Sequence, residues 1–159
     1  MKRVQVGDVF EIETPKGRGY FQYVYLNPKD DIELIRVFPG LYAEEPQNME
    51  SLVLQKEVFF VQFPVRAAYR RKIIRLIGHY EVPPGIEVPP KQMRTTHVIK
   101  GEFICWHIVD YETLQIVSVK ELTDEQKKLS PWDIWNDTLL IEKMMEGWML
   151  EKWNVTRTF

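Results

Sequence analysis

Apolar and polar residues alternate with a period of two near the start of the chain. Val9-Phe10-Glu11-Ile12-Glu13-Thr14 sets apolar side chains against acidic ones, the signature of a half-buried strand, with Glu11 and Glu13 on the solvent face. Pro15-Lys16-Gly17 marks a turn. The next run, Gly19 to Leu26, carries Tyr20, Phe21, Tyr23, Val24, Tyr25 and Leu26, so it has apolar bodies on both faces. It reads as a strand covered on both sides or at the rim of a barrel. Asn27 to Asp31 is a second turn, and Ile32 to Phe38 a third strand stopped by Pro39-Gly40. Residues 39–55 fit a loop, a short helix or an irregular strand equally well. Lys56 to Phe63 is rich in aromatic and β-branched residues and ends at Pro64. Arg66 to Arg71 fits a short turn, and Lys72 to Ile77 a fifth strand closed by Gly78.

The pattern then breaks. Glu81-Val82-Pro83-Pro84-Gly85-Ile86 is echoed by Glu87-Val88-Pro89-Pro90. Two Pro-Pro pairs fix φ and remove donors, which predicts an extended connector across 81–101 rather than sheet interior. Glu102 to Asp110 and Leu114 to Lys120 predict a hairpin. Its first strand is nearly all apolar from Phe103 to Val109, as a central strand buried on both faces would be.

Beyond residue 121 the period lengthens. Thr123-Asp124-Glu125-Gln126 fits a capping box and starts a short helix through Leu129. Ser130-Pro131 reads as a second helix start. Ile141, Met144, Met145 and Trp148 recur at three- and four-residue spacings, predicting an amphipathic helix over 131–152, broken near Asn136. Strands followed by helices give an α+β class: mostly antiparallel β, a strongly bent sheet or SH3-like barrel capped by C-terminal helices. One domain is expected over 1–159, with a β-rich core at 1–120 and a helical segment at 121–153.

Composition narrows this picture. The 159 residues are 45% hydrophobic and 13% aromatic, enough for a packed core and against disorder. The formal net charge of −2 excludes a uniformly basic nucleic-acid coat. It conceals a split: residues 1–79 hold 12 Lys or Arg against 10 Asp or Glu, and residues 80–159 hold 9 against 13. The single cysteine, Cys105, forms no internal disulfide, and the first residues lack the apolar run of a signal peptide. No stretch is apolar for long enough to cross a bilayer as a helix. A cytoplasmic protein without membrane partners is the expectation.

Candidate chemistry is sparse. Cys105 and His107 lie two apart on one strand and share a face. The spacing matches no zinc motif, and the pair reads as a buried thiol and a hydrogen-bonded core histidine. His79 and His97 are isolated in sequence. Gly17-Arg18-Gly19 joins two strands, so it is no phosphate loop, and no G-x-S-x-G occurs. Nothing implies a catalytic residue, a cofactor or a metal, and a non-enzymatic protein is expected.

Two groups suit binding. Arg66, Arg70, Arg71, Lys72 and Arg75 form the densest charge cluster, with Tyr69 inside it. Arg66, Tyr69, Arg70, Arg71 and Arg75 fit an acidic partner, a charged edge that rejects stray strands, or phosphate contacts and stacking in RNA or single-stranded DNA. The overall acidity weighs against nucleic acid. Trp132, Trp135, Trp148 and Trp153 crowd the tail. Some should wedge between helix and sheet, leaving Trp132, Trp135 and Trp153 as candidate interface anchors.

Gly7-Asp8-Val9-Phe10-Glu11-Ile12, then Gly19-Tyr20, the strand end Phe60 to Val65, and Ile77-Gly78-His79 before Val82-Pro83 resemble the immunity protein 26 family of bacterial polymorphic-toxin systems. The likeness covers residues 7–84. It implies a mostly β protein that neutralises a toxin encoded nearby, and it carries over no functional residue. The opening Gly-Asp-hydrophobic strand also looks like the start of SH3-like barrels, including plasmid-borne endoribonuclease toxins. A cognate toxin is therefore the expected partner, with nucleic acid as the alternative.

Overall fold

The computed structural model describes residues 2–153. It contains two antiparallel sheets. The first holds β1 (Asp8–Thr14), β2 (Gly17–Leu26), β3 (Glu33–Val37), β4 (Phe59–Gln62) and β5 (Ile74–His79), in the order β4-β3-β2-β1-β5. The second holds β6 (Gln92–Ile99), β7 (Glu102–Asp110) and β8 (Ile116–Val119), with β7 in the centre. Helices α1 (Met49–Val53) and α2 (Val65–Arg70) lie within the first region, and α3 (Asp137–Glu146) in the tail. The architecture is the expected α+β arrangement of antiparallel strands with C-terminal helices. The large sheet does not close into a barrel, one of the two expected forms, since β4 and β5 stand at opposite ends and do not pair.

Both faces of the large sheet are covered, which explains the apolar excess of β2. Tyr20, Phe21, Tyr23 and Val24 are all buried. Phe10, Ile12, Phe21 and Tyr23 face one cluster, closed by α2, Leu140 of α3, Trp135 and Trp148. Val9 and Tyr20 face a second cluster, closed by Met49, Leu52 and Val53 of α1. The ambiguous segment 39–55 thus contains a real helix. Asn48 caps it, its side-chain oxygen accepting from the Ser51 N–H at 3.0 Å. Arg66 to Arg70 are likewise helical, where the sequence suggested a turn.

Two polar residues sit deep in this sheet. Arg36 is fully buried and donates to the Gln22 side chain at 2.8 Å and to the carbonyls of Val53 and Gln55, so it anchors the end of α1. Glu11 is 3% exposed, contrary to the solvent position expected for it, whereas Glu13 is exposed. Strand β5, pairing with β1, brings Arg75 opposite Glu11, and β2 supplies Tyr20 opposite it on the other side. A carboxylate with these partners is satisfied in the interior.

Three tail and connector expectations are corrected. Residues 92–99, placed in the 81–101 connector, form β6; the Pro-Pro pairs themselves stay outside regular structure. Strand β7 is buried on both faces only over its second half, because a bulge opposite His97 and Val98 leaves Ile104 exposed. Pro131 does not begin a helix. The stretch 130–135 is extended and bonds to both sheets: the Phe60 N–H donates to Ser130 Oγ at 2.9 Å and the Trp135 N–H to the Gln62 carbonyl at 2.9 Å. On its other side the Arg94 N–H donates to the Ser130 carbonyl at 2.9 Å. Tertiary hydrogen bonds outbid the local helix signal there. Helix α3 starts after Asn136, whose side chain caps the Leu139 N–H at 2.8 Å. It ends at Gly147, which takes the left-handed conformation at φ 61°. The capping box closes as expected, Thr123 and Gln126 bonding reciprocally around a single 3-10 turn, Gln126–Lys128. Among the described residues, no helix is long and apolar enough to cross a membrane.

Candidate functional site

Helix α2 and strand β5 are neighbours in sequence and in space. They carry the basic cluster to one end of the large sheet. Arg66, Tyr69 and Arg70 lie on α2 and Arg71 caps its C-terminus. Lys72 adopts φ 59° and turns the chain into β5, where Arg75 sits.

Two grooves flank this corner. One, of about 820 Å³, is lined by Ile74 to His79 of β5 with Tyr69, Lys72, Lys2, Arg3, Gln5 and Asp8. The other, of about 570 Å³, is lined by Arg66, Tyr69, Arg70, Tyr23, Leu26 and residues Lys2 to Val6. Lys2, Arg3, Gln5 and Tyr69 border both. Together the linings hold six Lys or Arg side chains and one carboxylate, Asp8. Lys2 and Arg3 are members of the site that sequence reading did not assign. They are some 60 positions from α2 along the chain, and only the folding of β1 beside β5 brings them there.

The basic side chains are not equivalent. Arg66 pairs with Glu33 at 3.1 Å, and its backbone N–H donates to the same carboxylate. Arg75 donates from Nε to Glu11 at 3.0 Å and from a terminal nitrogen to Glu45 at 2.7 Å. Those two hydrogen bonds hold the Arg75 guanidinium above its already high range. Lys2, Arg3, Arg70, Arg71 and Lys72 are exposed and form no ion pair among the described residues. The free positive charge of this corner belongs to them. Tyr69 is half-buried, its ring edge-on to Phe10 at 5.8 Å.

Glu11 and Tyr20 lie behind Arg75. Burial pushes the Glu11 carboxyl up, but hydrogen bonds from Arg75 and Tyr20 and the charges of Arg75 and Arg18 bring it below its ordinary value. Burial and the bond to Glu11 push the Tyr20 phenol far above its ordinary range. A carboxylate held ionised beside a phenol held neutral has no proton to exchange near neutrality. The arrangement fixes Arg75 and β5. Burial raises the Glu33 carboxyl above its ordinary value, against the opposing pull of Arg66 and Tyr23. His79, at the end of β5, contacts the buried Asp8 carboxylate at 2.9 Å.

The tryptophans of the tail serve the junction between the sheets. Trp135 is 5% exposed and packs on Phe59 at 5.2 Å and Trp148 at 5.6 Å, so it is a core residue and not an interface anchor. Trp132 is half-buried and meets Tyr111 edge-on at 5.6 Å. Trp153 lies over the guanidinium of Arg94 at 4.3 Å, with Trp106 on Arg94 at 4.8 Å. Arg94 is buried and donates to the carbonyls of Lys127, Leu129 and Leu150; desolvation lowers it to about 10, so it remains charged at neutral pH. Trp132 and Trp153 keep partial exposure but lie away from the basic corner. The eight proposed contact residues therefore do not form one site: five cluster at α2 and β5, and three close the tail.

Cys105 is buried and free. His107 stacks on His97 with ring centroids 4.6 Å apart, in place of the hydrogen-bonded core position expected for it. Among the described residues, no group of three or more His, Cys, Asp or Glu side chains is arranged to hold a metal ion. Comparison with protein-family models, curated proteins and solved structures gave no match to this chain.

Proposed function

We propose that this protein is a non-enzymatic binding protein of the immunity type, which neutralises a cognate bacterial toxin by occluding it. The observation that carries the reading is the corner at α2 and β5. Five exposed, unpaired basic side chains gather there, and four of them, Lys2, Arg3, Arg70 and Lys72, line the two grooves. Such a surface steers an acidic partner and speeds its capture. The sequence likeness over residues 7–84 supplies the biological setting; its motifs fall on β1, β2, β4 and β5. Co-expression with the toxin gene adjacent to this one is the test. Restored growth and a co-purifying complex are expected; the absence of both would refute the proposal.

Nucleic-acid binding is the second reading, favoured by the same basic side chains. The phenol rings in the grooves count against it: Tyr23 is buried and Tyr69 packs against Phe10, which leaves no open stacking platform. Filter retention of RNA or single-stranded DNA that falls steeply with salt would support it, and no retention at low salt would remove it.

A further inference from the structure

The large sheet has two edges, and the fold treats them differently. The β4 edge is covered by the stretch 130–135, through the Ser130 Oγ and Trp135 N–H bonds and a parallel bridge between Gln62 and Ile134. The β5 edge has β1 on one side and no strand on the other among the described residues. An uncovered edge presents a row of backbone donors and acceptors that another strand can complete. Here that row lines the larger groove, beside half-buried Leu76 and Ile77.

We propose that this chain captures its partner by strand addition at β5, and that the incoming strand is acidic, alternating Asp or Glu with apolar residues. Main-chain hydrogen bonds to a sheet edge supply affinity, and side chains flanking it supply selectivity. The flanking charge decides the occupant. Lys2, Arg3 and Lys72 line the same groove, exposed and without an ion-pair partner among the described residues, and give the edge a positive fringe; Arg70 extends it into the neighbouring groove. That fringe repels a second copy of the same edge, so self-pairing is disfavoured. It favours a strand of opposite sign. Apolar residues of that strand continue the face of Ile74 and Leu76, which pack toward the core, and its carboxylates meet the unpaired Lys2, Arg3 and Lys72 that line the same groove. Another edge, β8 of the second sheet, has Ile116 and Val117 open to solvent and no charge within the strand, so it lacks this selectivity.

The inference rests on reading the chain as a partner-binding protein. The probe is a capped synthetic peptide alternating Glu and Val, titrated into the full-length, nitrogen-15-labelled chain at low salt. Amides of residues 74–79 should shift and their hydrogen exchange should slow. Affinity should fall about tenfold or more when Lys replaces each Glu, or when Pro replaces the central Val and removes its donor. The variant K2E/R3E/K72E should lose binding by a similar factor with its melting temperature unchanged, because those side chains are exposed and unpaired. Val117→Glu on β8 should bind as the parent does. Four results would overturn the proposal: no shifts up to millimolar peptide, shifts centred on 116–119, equal binding of the Pro-containing peptide, or tighter binding of oligothymidylate than of the acidic peptide. Docking of the peptide without growth rescue keeps strand addition and rejects toxin neutralisation; rescue without docking does the reverse.

Discussion

Replacing Glu11 by Ala tests whether the buried carboxylate holds the edge of the sheet in place. Tyr20, fully buried, donates its hydroxyl to Glu11 at 2.6 Å. A buried hydrogen bond to a charged acceptor contributes about 1.5–3 kcal/mol, and its removal strands the phenol in the core. Arg75 and Arg18 also contact Glu11, at 3.0 and 3.5 Å, but their side chains are 55% and 37% exposed. Solvent screening limits those two contacts to about 1 kcal/mol together. The expected loss is about 3 kcal/mol, or about 6–12 °C in melting temperature for a chain of this size. Urea denaturation with an unchanged slope measures it. A double-mutant cycle with Tyr20→Phe should return a coupling of about 1–2 kcal/mol. The pH dependence adds a second check. The folded Glu11 carboxyl lies below its ordinary value near 4.5. Its stabilisation is therefore complete above that value and disappears as pH falls through the folded one. The gap between parent and E11A should narrow in acid. A loss below about 1 kcal/mol, or a gap indifferent to pH, would refute the account of Glu11 as the tie between β1, β2 and β5.

Glu33 should behave with the opposite sign: its folded value is raised, so its contribution is complete below about 4.5 and is lost as pH rises through the folded value. Glu33→Gln should thus gain stability relative to the parent between pH 4 and 7, and thermal melts across that range would show the crossing trend. Arg36→Met orphans the acceptors on Gln22, Val53 and Gln55 in the core and should cost about 3 kcal/mol or more in chemical denaturation. Trp135→Ala should cost about 3–5 kcal/mol by emptying the space against Phe59 and Trp148. Trp132→Ala, at a half-buried position, should cost less than half as much.

The basic site was partly legible in the sequence because α2 and β5 are contiguous, so Arg66, Tyr69, Arg70, Arg71 and Arg75 could be grouped by position alone. Their division into used and free charge was not legible. It depends on where Glu11, Glu33 and Glu45 fall in the sheet register, and a strand pattern does not report which of two alternate carboxylates meets an arginine across the ladder. The tail shows the same limit in another form. Four closely spaced tryptophans look like an amphipathic surplus; Trp148 enters the core as its place on the apolar stripe implies, but Trp135 joins it only because the chain at 130–135 is extended and not helical.

By itself the sequence determined the strands of the large sheet, the hairpin of β7 and β8, the turns between them and the capping box, but not the stop at Gly147, since the expected helix ran on to 152. What it determined are local matters of period, propensity and backbone freedom. Tertiary structure alone decided that the sheet stays open, that 130–135 seals the β4 edge, and that Lys2 and Arg3 join α2 around the β5 edge. Each of those depends on contacts between segments far apart in the chain. The physical reason is that a hydrogen-bonding edge and a charged fringe gain their meaning from what lies across them, and a linear pattern carries no information about that neighbour.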